Sequence, residues 1–309
     1  QGEFIFDHSW ADAYMRAGGA YYPKLLSAIP FTPVTGRRRL VRDGEADADG
    51  LKNALLAGAV QLARDNDLSS LHLNFVTDGE YDALGEAGLL LRTDQQFHFE
   101  NKGYESFDDF LAELSSAKRK NLRKERLKAQ EGLRIEWITG DALTSEHWDI
   151  FYEFYMDTGS RKWGSPYLNR LSFELLHSRM ANDILLVFAY DGETPIAGAL
   201  NFIGSETLYG RYWGRIEDRP FLHFELCYYQ AIDFAIERKL KRVEAGAQGG
   251  HKLARGYVPV TTRSAHWVAH DGLRHALEDY LQHERDAVSQ DLAYLQTRTP
   301  FRKTGEEPQ

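Results

Sequence analysis

The tightest constraint on this chain is a set of three β-prone runs that follow one another almost without a break. They are Ile184 to Tyr190, Pro195 to Ile203 and Thr207 to Gly214. The connectors Asp191-Gly192 and Gly204-Ser205 are hairpin chemistry, with glycine free to take positive φ. The spacing predicts an antiparallel meander. A helical pattern from Leu222 to Leu240 comes next, then a short strand from Arg242 to Ala245. That strand breaks into a loop holding Gly246, Gly249 and Gly250 together with Gln248, His251, Lys252 and Arg255. Such glycines allow close backbone approach, and polar side chains at a strand end are a common way to build a site. The plainer alternative is a solvated turn with two surface cations.

The remainder reads as alternating elements. Glu3 to Phe6 has the look of a strand end. Leu25 to Ile29 and Leu71 to Phe75 are strands, and Leu51 to Arg64 is a helix with Leu51, Leu55, Ala59 and Leu62 on one face. A helix over Glu80 to Ala87, stopped by Gly88, precedes a strand at Gln96 to Glu100. Ser106 caps a long helical pattern reaching Gln130, and Gly132 ends it. Leu133 to Ile138 returns to strand. Helices at Ser145 to Asp157 and Leu171 to Met180 flank a polar loop from Thr158 to Pro166. Ser264 to Val268 and Leu273 to Glu284 make a closing strand and helix. A weak repeat underlies this order. Strand, helix and strand at 25–29, 51–64 and 71–75 match those at 207–214, 222–240 and 242–245, so two copies of one α/β unit are expected. The first copy lacks the early hairpin and the chain opens at Gln1, which suggests a first domain truncated at its N-terminus. The expected divisions are a partial first domain over 1–104, a basic connecting helix over 105–132, a second domain over 133–296 and a loose tail over 297–309.

A formal charge of -9 disfavours broad nonspecific nucleic-acid binding. No run approaches the roughly 18 apolar residues of a membrane span. The single cysteine, Cys227, forbids an internal disulfide and fits a reducing cytoplasm; inside a helical pattern it reads as a structural thiol. Lys118 to Lys128 holds seven basic residues and one acid, Glu125. That helix either meets nucleotide or RNA phosphates or is a solvated cationic end. Arg37-Arg38-Arg39 reads as a solvated basic loop in preference to an anion site. His266, His270 and His275 do not share a helix face and lack a completing ligand, so no metal is expected. Phe151, Tyr152, Phe154 and Tyr155 are core aromatics. Glycine-rich phosphate loops and a Gly-x-Ser-x-Gly elbow are absent from the sequence.

Several blocks, by their order and spacing, resemble the FemAB-like N-acyltransferases, relatives of the Fem peptidoglycan transferases within the GNAT superfamily. They are Lys118 to Lys124, Thr158-Gly159-Ser160-Arg161, Pro195-Ile196-Ala197-Gly198, Tyr212-Trp213-Gly214 and His251 to Tyr257. The resemblance implies an α/β (α+β) fold of tandem GNAT-like acyltransferase domains, with mixed sheets flanked by helices. It implies acyl transfer to the amine of a small molecule or peptide, with Lys252 as the first site residue. Lys252, with Arg255, would face the developing oxyanion; His251, His223 or Glu225 would take the proton. Tyr212, Trp213, Arg161, Gln248 and Tyr257 would line the substrate. The donor is acyl-CoA or aminoacyl-tRNA, the latter using the Lys118 to Lys128 helix. One departure stands out: where acyl-CoA enzymes carry a glycine-rich pyrophosphate loop, this chain has Arg215 to Phe221, with two acids and no glycine. The competing reading is a noncatalytic protein that recognises peptidoglycan or a peptide.

Overall fold

The computed structural model describes residues 2–161, 166–246 and 250–302, with the side chains of Ser160 and Arg161 excepted. In chain order the elements begin α1 (His8–Arg16), β1 (Leu25–Ser27), α2 (Ala48–Asp65), β2 (Ser70–Asn74), α3 (Asp78–Glu86) and β3 (Leu90–Glu100). There follow α4 (Phe107–Glu113), α5 (Ser116–Gln130), β4 (Leu133–Thr139), α6 (Ser145–Arg161) and α7 (Arg170–Met180). The meander is β5 (Ile184–Asp191), β6 (Thr194–Ile203) and β7 (Thr207–Arg215). Then come α8 (Leu222–Phe224), a π turn at Glu225–Tyr229, α9 (Gln230–Glu237), β8 (Arg242–Glu244), a 3-10 segment at Gly250–Arg255, β9 (Val258–Val268) and α10 (Asp271–Gln296).

These elements form two compact units that are not consecutive blocks of sequence. One comprises residues 1–96 and 260–295, the other 97–259 and 296–309. Contacts thus draw α10 to the first unit and α4 and α5 to the second, unlike the sequence divisions at 104, 132 and 296. The repeat explains the arrangement. In the first unit β1 runs parallel to β2, and β2 is antiparallel to β9. In the second, β7 runs parallel to β8, and β8 is antiparallel to the end of β3. Each parallel pair flanks its own crossover helix, and each is completed by a strand distant in sequence. The meander β4-β5-β6-β7 extends the second unit, every neighbour antiparallel.

Two glycines bring the second unit's core together. Helix α6 lies so near the sheet that a Cβ at Gly214 would sit 2.0 Å from the Phe154 carbonyl oxygen. A Cβ at Gly198 would meet the Phe188 ring at 2.8 Å. Trp148, Phe151, Phe154 and Phe173 from α6 and α7 then pack on Ile184, Leu186 and Phe188 of β5. The expected core aromatics Phe151, Phe154 and Tyr155 are buried there.

Several local expectations change. Glu3 to Phe6 is not strand, because Phe4 adopts φ 55° and turns the chain. The long helix from Ser106 breaks in two. Leu114 becomes extended and bridges Phe301, while the Ser115 amide donates to the Pro300 carbonyl at 2.9 Å. Residues 300–302 of the expected loose tail are thereby held; residues 303–309 lie outside the description. Helix α6 continues through Thr158 to Arg161 instead of ending at Asp157. On α2 the buried residues are Leu56 and Ala63, whereas Leu51, Leu55 and Leu62 are exposed, so the helix is rotated from the expected face. Among the described residues no helix is long and apolar enough to cross a membrane.

The glycine argument gives opposite signs at two positions. Gly214→Ala should cost about 1–3 kcal/mol or more by overpacking. Gly58→Ala, in α2 with nothing within 4 Å of the new Cβ, should gain about 0.5–1 kcal/mol. Chemical denaturation of both variants checks the pair.

Candidate active site

Strands β7 and β8 pair only over Thr207–Tyr209 and Arg242–Glu244. The ladder stops at Tyr209 and Glu244, and the residues that follow in both strands line a cavity of about 470 Å3. Gly210, Arg211, Tyr212 and Trp213 line it from β7, and Ala245 and Gly246 from the end of β8. Tyr155, Thr158 and Gly159 of α6 supply a second wall; His223, Cys227 and Tyr228 of the α8 and π-turn segment supply a third. The C-terminal ends of adjacent parallel strands are where α/β sheets commonly bind ligands.

A bulge shapes one wall. Leu200 pairs with Tyr212 but Asn201 pairs with Gly210, so Arg211 is the extra residue on β7. Bulges re-aim side chains, and Arg211 lies against the cavity with its pKa lowered from the usual arginine value by burial. Tyr212 lines it too, packed against Tyr155 with ring centroids 5.3 Å apart. The central helix is irregular at the same level: its π turn at Glu225–Tyr229 carries Cys227 and Tyr228 to the wall. Such turns concentrate at functional positions. His223 stands against Trp213 at 4.8 Å between ring centroids.

Behind the cavity is a layer of buried charge. Lys252 is 2% exposed, and its Nζ donates to the Gly246 carbonyl at 2.8 Å. Burial pushes its pKa down to about 8. Glu244, the last paired residue of β8, is pushed up to about 7, again by burial, with Arg242 opposing and Glu100 reinforcing. Directly across the ladder His98 is pushed down to about 3 by burial, Arg242 and Lys252. A second network fixes α5 to the central helix. Fully buried Glu225 accepts from Arg126 Nη2 at 2.9 Å, Gln130 Nε2 at 2.8 Å and Gln230 Nε2 at 2.7 Å. Arg126 also reaches Asp233 at 2.6 Å.

The sequence model of the FemAB-like family, described as peptidoglycan biosynthesis/recognition, matches residues 1–303. The chain belongs to the FemAB-like family. Solved structures share its fold. L-PGS from Bacillus licheniformis is 10% identical over 84% of this chain and 81% of its own, with a TM-score of 0.53. FemX is 13% identical over 81% and 85%, with a TM-score of 0.50. The C-terminal domain of a putative lysylphosphatidylglycerol synthetase from Agrobacterium fabrum is 10% identical over 75% and 78%, also with a TM-score of 0.50. At these identities the likeness concerns the fold alone, mixed α/β with a sheet flanked by helices. No curated protein matches the sequence.

In this FemAB-like chain the residues singled out from sequence take different places. His223, Tyr212 and Trp213 line the cavity together. Lys252 stands behind Gly246, held to its carbonyl, instead of projecting into the space as an oxyanion partner would. His251 is exposed, shares a 2.9 Å hydrogen bond with the Tyr228 hydroxyl, and has its pKa lowered by burial, Arg255 and Lys252. Arg255 lies 3.4 Å above the Phe224 ring and donates to Glu125 at 2.8 Å. Glu225 and Tyr257 are packing residues: Glu225 is saturated by Arg126 and two glutamines, and Tyr257 is fully buried with its hydroxyl 3.3 Å from the Tyr228 carbonyl. Gln248 lies outside the described residues, as does the side chain of Arg161. Among the described residues no cluster of His, Cys, Asp or Glu could hold a metal ion.

Sequence reasoning overlooked Glu244 and Asn201. A carboxylate at the end of a core strand was the available signal for Glu244. Cys227, expected to be a structural thiol, lines the cavity.

The pH dependence of Glu244 has a definite sign. Its folded pKa of about 7 exceeds the ordinary 4.5, so the folded state holds the proton more tightly. Its contribution to stability is present below pH 4.5 and is lost as pH rises through 7. His98, depressed to about 3, slopes the other way up to its ordinary 6.5. Stability of wild type minus that of Glu244→Gln should therefore fall between pH 4.5 and 7, by roughly 3 kcal/mol in total. Denaturant titrations of both proteins across that window measure the difference.

Proposed function

We propose that the chain is an N-acyltransferase whose acceptor amine, on a peptidoglycan precursor or peptide, attacks an acyl carbonyl in the β7–β8 cavity. The observation that carries the reading is the cavity at the end of the parallel β7–β8 ladder, largely aromatic and apolar, with His223 and Arg211 on its wall. The amine nitrogen bonds to the carbonyl carbon, whose π electrons move onto oxygen, and collapse of that adduct expels the donor's oxygen or sulfur with its electron pair. The attacking nitrogen must lose a proton. His223 on the cavity wall takes it and returns it to the leaving group, since imidazole needs little pKa shift to serve near neutrality. Arg211 supplies positive charge to the developing oxyanion. Lys252 acts one layer back, fixing the Gly246 carbonyl and the strand end that bears it.

The donor side favours an aminoacyl ester on tRNA over acyl-CoA. At the entry to the central helix a pyrophosphate would need backbone amides and few anions. Here Glu217 pairs with Arg219 at 2.6 Å, Asp218 pairs with Arg215, and Arg219 also reaches Asp191. On α5, Arg126 is committed to Glu225 and Asp233, whereas Lys118, Lys120 and Lys124 are exposed. Those three remain for phosphate contact.

Transfer assays with charged tRNA and an amine-bearing muropeptide test this directly. His223→Gln should lower kcat/KM by roughly 10²–10⁴-fold with folding intact. Transfer from acetyl-CoA alone would reverse the donor assignment. Muropeptide binding by calorimetry with no transfer from either donor would instead make the chain a recognition protein.

A further inference from the structure

The cavity at the end of the β7–β8 ladder has a narrower chemistry than acyl transfer alone requires. Much of its wall is aromatic: Tyr155 from α6, Tyr212 and Trp213 from β7, and Tyr228 from the π turn. The polar ends of two of these tyrosines are engaged by the protein itself. The Tyr155 hydroxyl accepts from the amides of Tyr167 and Leu168 at 3.1 and 3.2 Å. The Tyr228 hydroxyl shares its 2.9 Å bond with His251 Nε2. Asn201, also on the wall, is 1% exposed, and its side-chain amide donates to the Leu185 carbonyl at 3.4 Å. Ala199 and Leu200 of β6 add aliphatic surface. What remains for a ligand is mainly ring and methyl carbon.

We propose that this wall selects the acyl group, favouring one whose side chain is bulky and apolar, of the leucine or phenylalanine kind, over one that is small or cationic. The inference rests on the transfer reaction proposed above. In that reaction the carbonyl oxygen faces Arg211 and the attacking amine faces His223. The acyl side chain is attached to the carbon next to the carbonyl, so it enters the cavity with the reacting centre. An amine at the end of a peptide side chain brings only its methylene stem to the same point. A hydrophobic pocket discriminates by roughly 10–200-fold for each methylene gained or lost. Edge-to-face ring contacts add to that, and the wall is already built of them: Tyr155 and Tyr212 meet at an interplanar angle of 74°.

Charge works against a cationic side chain. Among the described lining residues there is no Asp, Glu or Lys, and Arg211 is the one arginine. Its guanidinium lies 5.3 Å from the Tyr212 ring centroid. An aromatic face can hold a ligand cation, but this one already has a cation beside it. A lysyl side chain would enter next to a like charge with no carboxylate to offset it, and such repulsion gives specificity as effectively as attraction does. The α-amine is common to every aminoacyl ester and so does not discriminate among them.

The test uses the full chain, one amine-bearing muropeptide and one tRNA sequence, acylated chemically at its 3′ end with phenylalanine, leucine, alanine or lysine, so that only the acyl group varies. Phenylalanyl or leucyl transfer should exceed alanyl transfer in kcat/KM by at least about tenfold, and lysyl transfer by more. Trp213→Ala, at a half-buried position on the wall, should lower the phenylalanyl-to-alanyl ratio about tenfold; the wild-type ratios stand without it. An alanyl or lysyl group transferred as fast as the apolar ones overturns the inference and leaves the transferase reading in place. A ratio that does not move in folded Trp213→Ala overturns it as well. Transfer of none of the four groups removes the aminoacyl donor and this inference together.

Discussion

The structure depends on a hydrogen-bond ladder that stops early. β7 and β8 share three residue pairs and no more, while β7 stays bonded to β6 as far as Arg215. A parallel pair that continued would bury its backbone groups in the sheet and leave no space. Because it ends at Tyr209 and Glu244, the following residues of both strands face a cavity and can meet a ligand. The other irregularities gather at the same level. The bulge that displaces Arg211, the π turn that carries Cys227 and Tyr228, and the positive φ of Gly246 each break regular structure beside that opening. Departures from ideal geometry at one place are what a functional site leads one to expect.

Polar groups hold this arrangement at the back. Glu225 lies at the first turn of the π segment, and its bonds to Arg126, Gln130 and Gln230 tie α5 to the central helix. Breaking one partner of such a buried ion pair costs several kcal/mol because the other charge is stranded. Glu125, the lone acid of the basic helix, accepts from Tyr229 and Arg255. The apparent excess of positive charge on α5 is therefore partly internal wiring. The same cross-strand position is used differently in the two units. In the second it carries Glu244 opposite His98; in the first, His72 opposes His266, their Nδ1 atoms 2.7 Å apart. There Ser70, Ser264, Tyr21 and Asp7 complete the hydrogen bonds.

What could be read from sequence follows the range of the forces involved. The meander, the two β-α-β copies and the core aromatics are local patterns, and they appear where periodicity and turn chemistry put them. The cavity-lining positions of His223, Tyr212 and Trp213 were reachable because short blocks carry the resemblance. Failures occurred where a distant partner decides the outcome. The break at Leu114 is set by Phe301, the face of α2 by what β2 and Trp267 present to it, and the packing role of Glu225 by an arginine 99 residues away. The burial of Lys252 and its bond to Gly246 could not be inferred from a polar-looking loop. Arg39 was misread for the same reason, since nothing adjacent in sequence marks it as buried.

The central claim is that the opening between β7 and β8 is where substrate sits, and the chain offers its own probe. Cys227 is the single cysteine and lines that opening. The most direct measurement is the rate at which a thiol reagent labels Cys227 with and without a saturating amine-bearing muropeptide. The account predicts protection that tracks occupancy of the ligand. Labelling at an unchanged rate while calorimetry shows the muropeptide bound would contradict it.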